Sequence, residues 1–156
     1  GESISNGLEV IQENGKTRIK VNAKNSEVSY VIDGIEYAAD SLKNGIPDEI
    51  ATVNMITSPT NAKKSYVVIN TKQKKGQFIS YANGVLKYKY NKQEYTLNPE
   101  KLEEPALIIN NRLTRSFNID PVQIIQIRPV SELERQLLGA PSAQVIIVTD
   151  KMGFFF

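Results

Sequence analysis

The chain has 156 residues, enough for one domain or two small ones, and its 40% apolar and 23% charged residues are ordinary for a globular protein. It has no cysteine and no histidine, which excludes disulfides, zinc–thiolate sites and thiol nucleophiles and removes the commonest general base. The formal net charge of +2 is too small to indicate a polyanion, so no nucleic-acid partner is expected.

The first predicted element is a β-hairpin over residues 8–22. The segment LEVIQENGKTRIKVN alternates apolar and polar residues on both sides of Asn14-Gly15. An Asn-Gly pair suits a type I′ turn, in which both central residues need positive φ. In the second arm, Ile19 and Val21 should face one side and the intervening charged residues the other.

The next segment predicts a strand, a turn at Asp33-Gly34 and two further strands separated by short helices. Gly45 suits the end of one short helix, and Pro47 suits the first turn of another. The predicted elements are strand 28–32, its continuation 35–37, helix 39–44, a helical start at 47–49, strand 51–57, a loop at 58–64 and strand 66–71.

A second hairpin and a second copy of this pattern follow. Strands 77–81 and 85–90 flank Asn83-Gly84, and residues 93–97 can add a third strand. Ser131 and Glu134 form a capping-box pattern at the start of a helix over 131–138. The remaining predicted elements are strand 107–109, a turn at 110–111, strand 122–128 and strand 145–149.

Residues 30–72 and 106–151 therefore repeat one pattern. Aligning them places 32–34 over 109–111, the Ile50 segment over the Ile124 segment, and 67–69 over 145–147. We predict an α+β fold of two β-rich repeats with short helices, joined by a β-hairpin segment. The predicted division is residues 1–75 (hairpin and first repeat) and 76–156 (linking hairpin and second repeat).

The first copy resembles the plug domain of TonB-dependent receptors. The matching residues are VIDGI at 31–35, IPDEIATVNMI at 46–56 and VVINTK at 67–72, whereas the Tyr-Gly pair usual in that family is missing from 61–66. Plug-like modules also occur on surface and periplasmic proteins of Bacteroidetes-type bacteria, including sensor peptidases. The resemblance implies two plug-like repeats without a barrel or transport activity.

The resemblance implies that the protein is a non-enzymatic, extracytoplasmic interaction or sensor module. The expected partner is a protein of the bacterial envelope, and the expected location is the periplasm or the outer membrane. No segment of the sequence approaches the roughly 20 apolar residues that span a bilayer, so the chain is not expected to cross a membrane as given.

Four tyrosines, Tyr81, Tyr88, Tyr90 and Tyr95, are the most suggestive candidate site. Alternation in KYKY at 87–90 places Tyr88 and Tyr90 on one face and the lysines on the other. An exposed stripe of Tyr88, Tyr90 and Tyr95 would stack on sugar rings or a peptide, whereas a buried one would be cross-strand packing. The alternative function is therefore a small carbohydrate- or peptidoglycan-binding domain, with a glycan as partner.

The other charged residues fit simpler interpretations. Lys63, Lys64, Lys72, Lys74 and Lys75 are read as solvated or edge-blunting lysines. Residues two apart on a helix do not face each other, and Glu103-Glu104 precedes a linker at Pro105, so the glutamate pairs at 132/134 and 103/104 are read as solvated charges. Asp48-Glu49 lacks the spacing of a calcium loop. No catalytic, metal-binding or cofactor-binding residue is predicted, and a hydrolase would need a cleft with convergent carboxylates or a Ser–Lys pair.

Three further segments complete the candidates. The turns at 33–34 and 110–111 are read as closing hairpins in preference to binding a ligand. The inserts 58–64 and 131–143 differ between the copies, which suggests that one copy is adapted for contact. Three phenylalanines at 154–156 form either a last piece of core or a docking peptide, and the sequence does not separate these alternatives.

Overall fold

The computed structural model describes residues 2–4, 8–13, 16–21, 28–42, 44–46, 48–72 and 76–150, the first three ranges as backbone only. Within these ranges strands predominate, and one six-residue α-helix, Glu132–Leu137, is present. The fold is therefore all-β, and the α+β prediction is wrong. The predicted helix at 39–44 is a 3-10 turn over Ala39–Leu42, and residues 48–49 are not helical.

The chain divides into two compact units, residues 1–72 and 73–153. The strands of the first unit form a three-stranded antiparallel meander, β1-β2-β3, and a four-stranded sheet in the order β5-β4-β7-β6. In this sheet β4 and β7 are parallel. The strands are β1 (Glu2–Ile4), β2 (Leu8–Glu13), β3 (Lys16–Val21), β4 (Val28–Ile32), β5 (Ile35–Ala38), β6 (Ile50–Thr57) and β7 (Ser65–Thr71).

The second unit has the same two kinds of sheet. Its meander has the order β10-β9-β8, and its four-stranded sheet has the order β12-β11-β14-β13, with β11 and β14 parallel. The strands are β8 (Gly76–Ala82), β9 (Val85–Tyr90), β10 (Gln93–Leu97), β11 (Leu107–Ile109), β12 (Arg112–Thr114), β13 (Ile124–Pro129) and β14 (Val145–Thr149). The helix after β13, Glu132–Leu137, is named α1.

Strand pairing confirms the alignment of the two copies residue by residue. Ile32 lies opposite Ile69 in the first sheet, and Ile109 lies opposite Ile147 in the second. The antiparallel pairs β6–β7 and β13–β14 also share an irregularity at the same aligned place, between residues 50 and 52 and between residues 124 and 126. The two four-stranded sheets are therefore built to one plan.

Among the described residues, two-residue turns with positive φ at both central positions close four hairpins. They are Asp33-Gly34, Asn83-Gly84, Asn91-Lys92 and Asn110-Asn111. Positive φ at both positions is the type I′ geometry, which matches the right-handed twist of paired strands. The interpretation of residues 33–34 and 110–111 as hairpin closures is thereby confirmed.

Each unit has its own apolar core. In the first unit Tyr30, Val67 and Ile69 of the sheet pack with Leu42 and Ile46. In the second unit the meander packs on the four-stranded sheet, because Leu86 and Tyr88 of β9 share a core with Leu107, Ile127 and Ile147. The candidate site lies against this second core.

Candidate functional site

The tyrosines predicted as a binding stripe lie in the meander of the second unit, and they are not equally accessible. Tyr88 is 2% exposed and belongs to the core, whereas Tyr90 and Tyr95 are half-buried at its margin. The rings of Tyr88 and Tyr95 are stacked, with centroids 5.0 Å apart and planes 11° from parallel. Lys87 and Lys89 are exposed, so the predicted alternation of faces is confirmed.

Burial also raises the pKa of two of the four tyrosines, Tyr81 and Tyr88. Loss of solvent raises the pKa of Tyr88, and the neighbouring Tyr95 adds to this effect. Tyr81 lies elsewhere in the unit, stacked on Phe117 with centroids 4.7 Å apart. Its pKa is raised by desolvation and, to a lesser extent, by Glu100. Neither Tyr81 nor Tyr88 is set up to lose a proton near neutral pH.

A cleft of about 590 Å³ opens beside β10, a volume within the range typical of ligand sites. Tyr95, Thr96 and Leu97 form one side, and residues 102–104 form a lip. The opposite side is made by Arg135 and by residues 141–145. The cleft therefore combines an aromatic and aliphatic floor with a polar rim.

Hydrogen bonds fix the walls of this cleft. Arg115 donates to the carbonyl oxygen of Leu102 at 2.5 Å and also to that of Glu103. The Ser142 hydroxyl donates to the carbonyl oxygen of Pro105 at 2.7 Å. Hydrogen bonds therefore hold the lip at 102–104 on both sides, and the Ser142 hydroxyl is used in one of them.

Helix α1 is held by a buried ion pair. Arg128 and Glu134 are 2% and 1% exposed and form two parallel hydrogen bonds of 2.7 and 2.8 Å. Glu134 also accepts the N–H of Ser131 while Ser131 accepts the N–H of Glu134, so the predicted capping box is confirmed. The interpretation of Glu134 as a solvated charge is wrong, because its carboxylate neutralises the buried guanidinium of Arg128.

The rim of the cleft carries negative charge. Arg135 is already engaged, since its Nε donates to the carbonyl oxygen of Ala143 at 2.7 Å and it pairs with Glu132 at 3.0 Å. Glu103 and Glu104 are exposed, and within the described ranges no cation lies at ion-pair distance from either. A cationic group entering the cleft would meet two carboxylates that form no ion pair with any described residue.

Strand β10 presents an open edge alongside the cleft. It pairs with β9 alone among the described strands. The two-residue turn makes Tyr90 and Gln93 a hydrogen-bonded pair, and such pairs alternate along an antiparallel ladder. The backbone groups of Glu94 and Thr96 therefore point away from β9, and both residues are exposed.

Lys64 and Lys72, among the other sequence candidates, do not line this cleft. Lys64 pairs with Glu36 and lies over the ring of Tyr66, while Lys72 pairs with Glu49. Residues 74, 75 and 152–156, the latter including the phenylalanine tail, lie outside the described residues. In the part of the chain that the structure describes, no three acidic side chains are grouped as a metal site would require.

The insert 131–143, which contains Arg135 and lines the cleft, is among the predicted contact segments, whereas the β10 edge and the acidic lip are not predicted as a site. The β10 edge was accessible to sequence reasoning, because the tight turn at 91–92 fixes which backbone groups point outward. The lip was not, since its position depends on hydrogen bonds from Arg115, which is distant along the chain.

Comparison with known proteins adds no assignment. No helix among the described residues is long and apolar enough to cross a membrane. No family model matches the chain, and neither a curated protein nor a solved structure shows significant similarity to it.

Proposed function

We propose that this protein is a non-enzymatic interaction module that binds an extended segment of a partner protein along β10. The observation that carries the proposal is the open edge of β10 beside a cleft with an acidic rim. An added strand would receive backbone hydrogen bonds from Glu94 and Thr96 and place alternate side chains into the cleft. Glu103 and Glu104 favour a segment that carries lysine or arginine.

The binding mode is tested with labelled octapeptides and the full chain, using fluorescence anisotropy. One peptide alternates valine and lysine, and a matched peptide alternates valine and glutamate. The lysine peptide should bind several-fold more tightly, because each exposed ion pair contributes up to about 1 kcal/mol. Equal binding of the two peptides would contradict the assigned charge preference.

Thr96→Pro removes the outward N–H of β10 without removing a bond to β9, since proline is tolerated on edge strands where the N–H faces solvent. It should abolish peptide binding. Thr96→Ala is the matched control, because it keeps the N–H and should bind as the natural chain does. A Thr96→Pro protein that folds, as judged by its amide NMR spectrum, and still binds would exclude strand addition.

We also propose that the protein is part of an interaction or sensor assembly in the bacterial envelope. This half of the proposal rests on the plug-like sequence pattern. The shared register of the two four-stranded sheets supports the duplication within that pattern. Fractionation of the source cells, followed by detection with an antibody, tests the compartment. Recovery in the cytoplasmic fraction alone would overturn it.

Glycan binding is a second candidate, favoured by the half-buried ring of Tyr95 at the cleft next to Thr96 and Gln144. A sugar would stack on this ring, whereas Tyr88 lies beneath it and supports it. Binding of peptidoglycan fragments that is lost in Tyr95→Ala and kept in Thr96→Pro would favour this candidate over the peptide.

A further inference from the structure

A second cavity lies at the end of the four-stranded sheet of the second unit, apart from the β10 cleft. Its volume is about 400 Å³. It is formed where the β11–β12 hairpin meets the segment that follows β12. Isoleucines 109 and 119 supply apolar surface, and the rest of the lining is polar.

The polar lining is rich in hydrogen-bond donors. Arg112, Thr114, Ser116 and Asn118 line the cavity, and no carboxylate is among its lining residues. Within the described ranges Arg112 forms no ion pair. The carboxylate of Asp120, which follows the cavity in sequence, accepts the N–H of Val122 at 3.1 Å.

The geometry separates residues that shape the cavity from those free to bind. Asn110 is engaged, since its amide donates to the hydroxyl of Thr149 at 2.9 Å and accepts the N–H of the same residue at 3.0 Å. The hydroxyl oxygen of Thr114 accepts the N–H of Ser116 at 3.2 Å, which leaves its proton to donate elsewhere. Asn110 therefore fixes the wall while Thr114 retains a donor.

The first copy provides an internal comparison. The residues aligned with Arg112 and Thr114 are Ile35 and Tyr37, which follow the equivalent turn in the equivalent register. Ile35 is 59% exposed, so the fold tolerates an apolar residue at this position. The hydrogen-bond donors Arg112 and Thr114 are thus specific to the second copy, and the arrangement of strands that the two copies share does not require them.

We propose that this cavity binds a small ligand bearing an oxyanion, either a carboxylate or a phosphate. The planar guanidinium of Arg112 presents parallel N–H groups that match two oxygens of such a group. The hydroxyls of Thr114 and Ser116 and the amide of Asn118 donate to the remaining oxygens. The isoleucines contact the apolar part of the ligand.

The test is an NMR titration of the isotope-labelled full chain with inorganic phosphate, with sulfate and with acetate. Ionic strength is held constant with sodium chloride. Saturable shifts should appear at Arg112, Ser116 and Asn118. A response to acetate alone would assign a carboxylate ligand, and a stronger response to phosphate a phosphorylated one.

Arg112→Ile installs the residue of the first copy and should weaken anion binding at least about tenfold, the effect of losing a charge-assisted hydrogen bond. Lys89→Ala is the matched control, because it removes one positive charge from an exposed residue of β9 that does not line the cavity. It should leave the affinity unchanged. Equal weakening by both substitutions, or shifts that chloride reproduces, would overturn the proposal.

If Arg112→Ile disturbs the hairpin, Ser116→Ala provides a second variant, since its side chain lies outside the strands. It should reduce affinity while the strand resonances keep their positions. Unchanged anion affinity in a folded Ser116→Ala and Asn118→Ala double variant would also overturn the proposed site. Neither variant touches the residues of the β10 cleft, so this result is independent of peptide binding.

Discussion

At the scale of single residues, Tyr88 and Tyr95 show how two stacked rings take different roles. Sequence alternation predicts which way a strand residue points, but it does not say whether that face is covered. Tyr88 is covered by the core and Tyr95 borders the cleft. Tyr88 shares this core with Leu107, Ile127 and Val145 of other strands, which no local pattern around β9 reveals.

Glu134 shows the same limit for a charged side chain. The capping box predicts that its carboxylate turns back toward Ser131. Arg128 lies six residues earlier, in a strand, and the distance between them depends on how α1 folds over β13. Since a lone buried charge is costly, the pair acts as one unit in which each residue requires the other.

Glu134→Gln tests this dependence. It keeps the shape of the side chain but removes the negative charge that pairs with the buried guanidinium of Arg128, so the free energy of unfolding should fall by about 3–5 kcal/mol. Urea denaturation measures the loss. Glu132→Gln is the control, because Glu132 forms an exposed pair with Arg135 and should change stability by less than about 0.5 kcal/mol. Similar losses in the two variants would contradict the assigned role.

At the scale of elements, local turn chemistry carried most of the correct predictions. Strands β9, β10, β11 and β14 begin and end as predicted, and three of them adjoin two-residue turns rich in asparagine or glycine. In the first copy one short helix is predicted from Gly45 at its end and another from Pro47 and the acidic residues that follow it, signals that also suit a 3-10 turn or a bend. Only α1, which has a complete capping box, became an α-helix among the described residues.

Strand β12 was missed because it has three residues and two of them are polar. Its existence follows from the type I′ turn at 110–111, which returns the chain alongside β11. Without β12 the second cavity cannot be predicted from the sequence, since Arg112 and Thr114 acquire a common face only when they belong to one strand.

Gly76 tests how β8 meets β13 within the second unit. A Cβ atom at Gly76 would lie 1.7 Å from the carbonyl oxygen of Ile127, so Gly76→Ala must push the two backbones apart. Stability should fall by about 1–3 kcal/mol or more. Hydrogen exchange should show lost protection in β8 and β13.

Gly139→Ala is the control for this substitution. Its Cβ would meet no atom within 4 Å, and its positive φ of 62° costs only about 1–2 kcal/mol for a residue with a side chain. It should leave the protection of β8 unchanged. If Gly139→Ala exposes β8 as much as Gly76→Ala does, the close approach to Ile127 is not what holds the two strands.

At the scale of the whole molecule, the two copies share a four-stranded sheet and its closing turn, which we call the frame, and differ in the elements attached to it. The frame includes an N–H at the start of each turn that donates to the carbonyl oxygen of the last residue in the parallel pairing, from Asp33 to Ile69 and from Asn110 to Ile147, at 2.9 and 3.0 Å. The attachments differ, since α1 and the donor-lined cavity belong to the second copy. A repeated pattern therefore predicts the frame well and the sites poorly.

The side-chain hydrogen bonds of the two equivalent turns give a stability prediction in which each copy is the control for the other. Asp33 accepts the N–H and the hydroxyl of Thr71 at 2.9 and 2.6 Å, and Asn110 forms the matching pair of bonds with Thr149. Asp33→Ala and Asn110→Ala each remove both bonds and should cost about 1–3 kcal/mol of unfolding free energy. Chemical denaturation of the full chain provides the measurement.

The conservative exchanges should cost much less, because a threonine hydroxyl both donates and accepts. In Asp33→Asn the hydroxyl of Thr71 can turn to accept from the new amide, which reproduces the bonding of the second copy. In Asn110→Asp the hydroxyl of Thr149 can turn to donate, which reproduces the bonding of the first. If either exchange costs as much as its alanine variant, the two turns are not chemically equivalent. The two copies would then share their strand register but not the side-chain hydrogen bonds between the turn and the threonine.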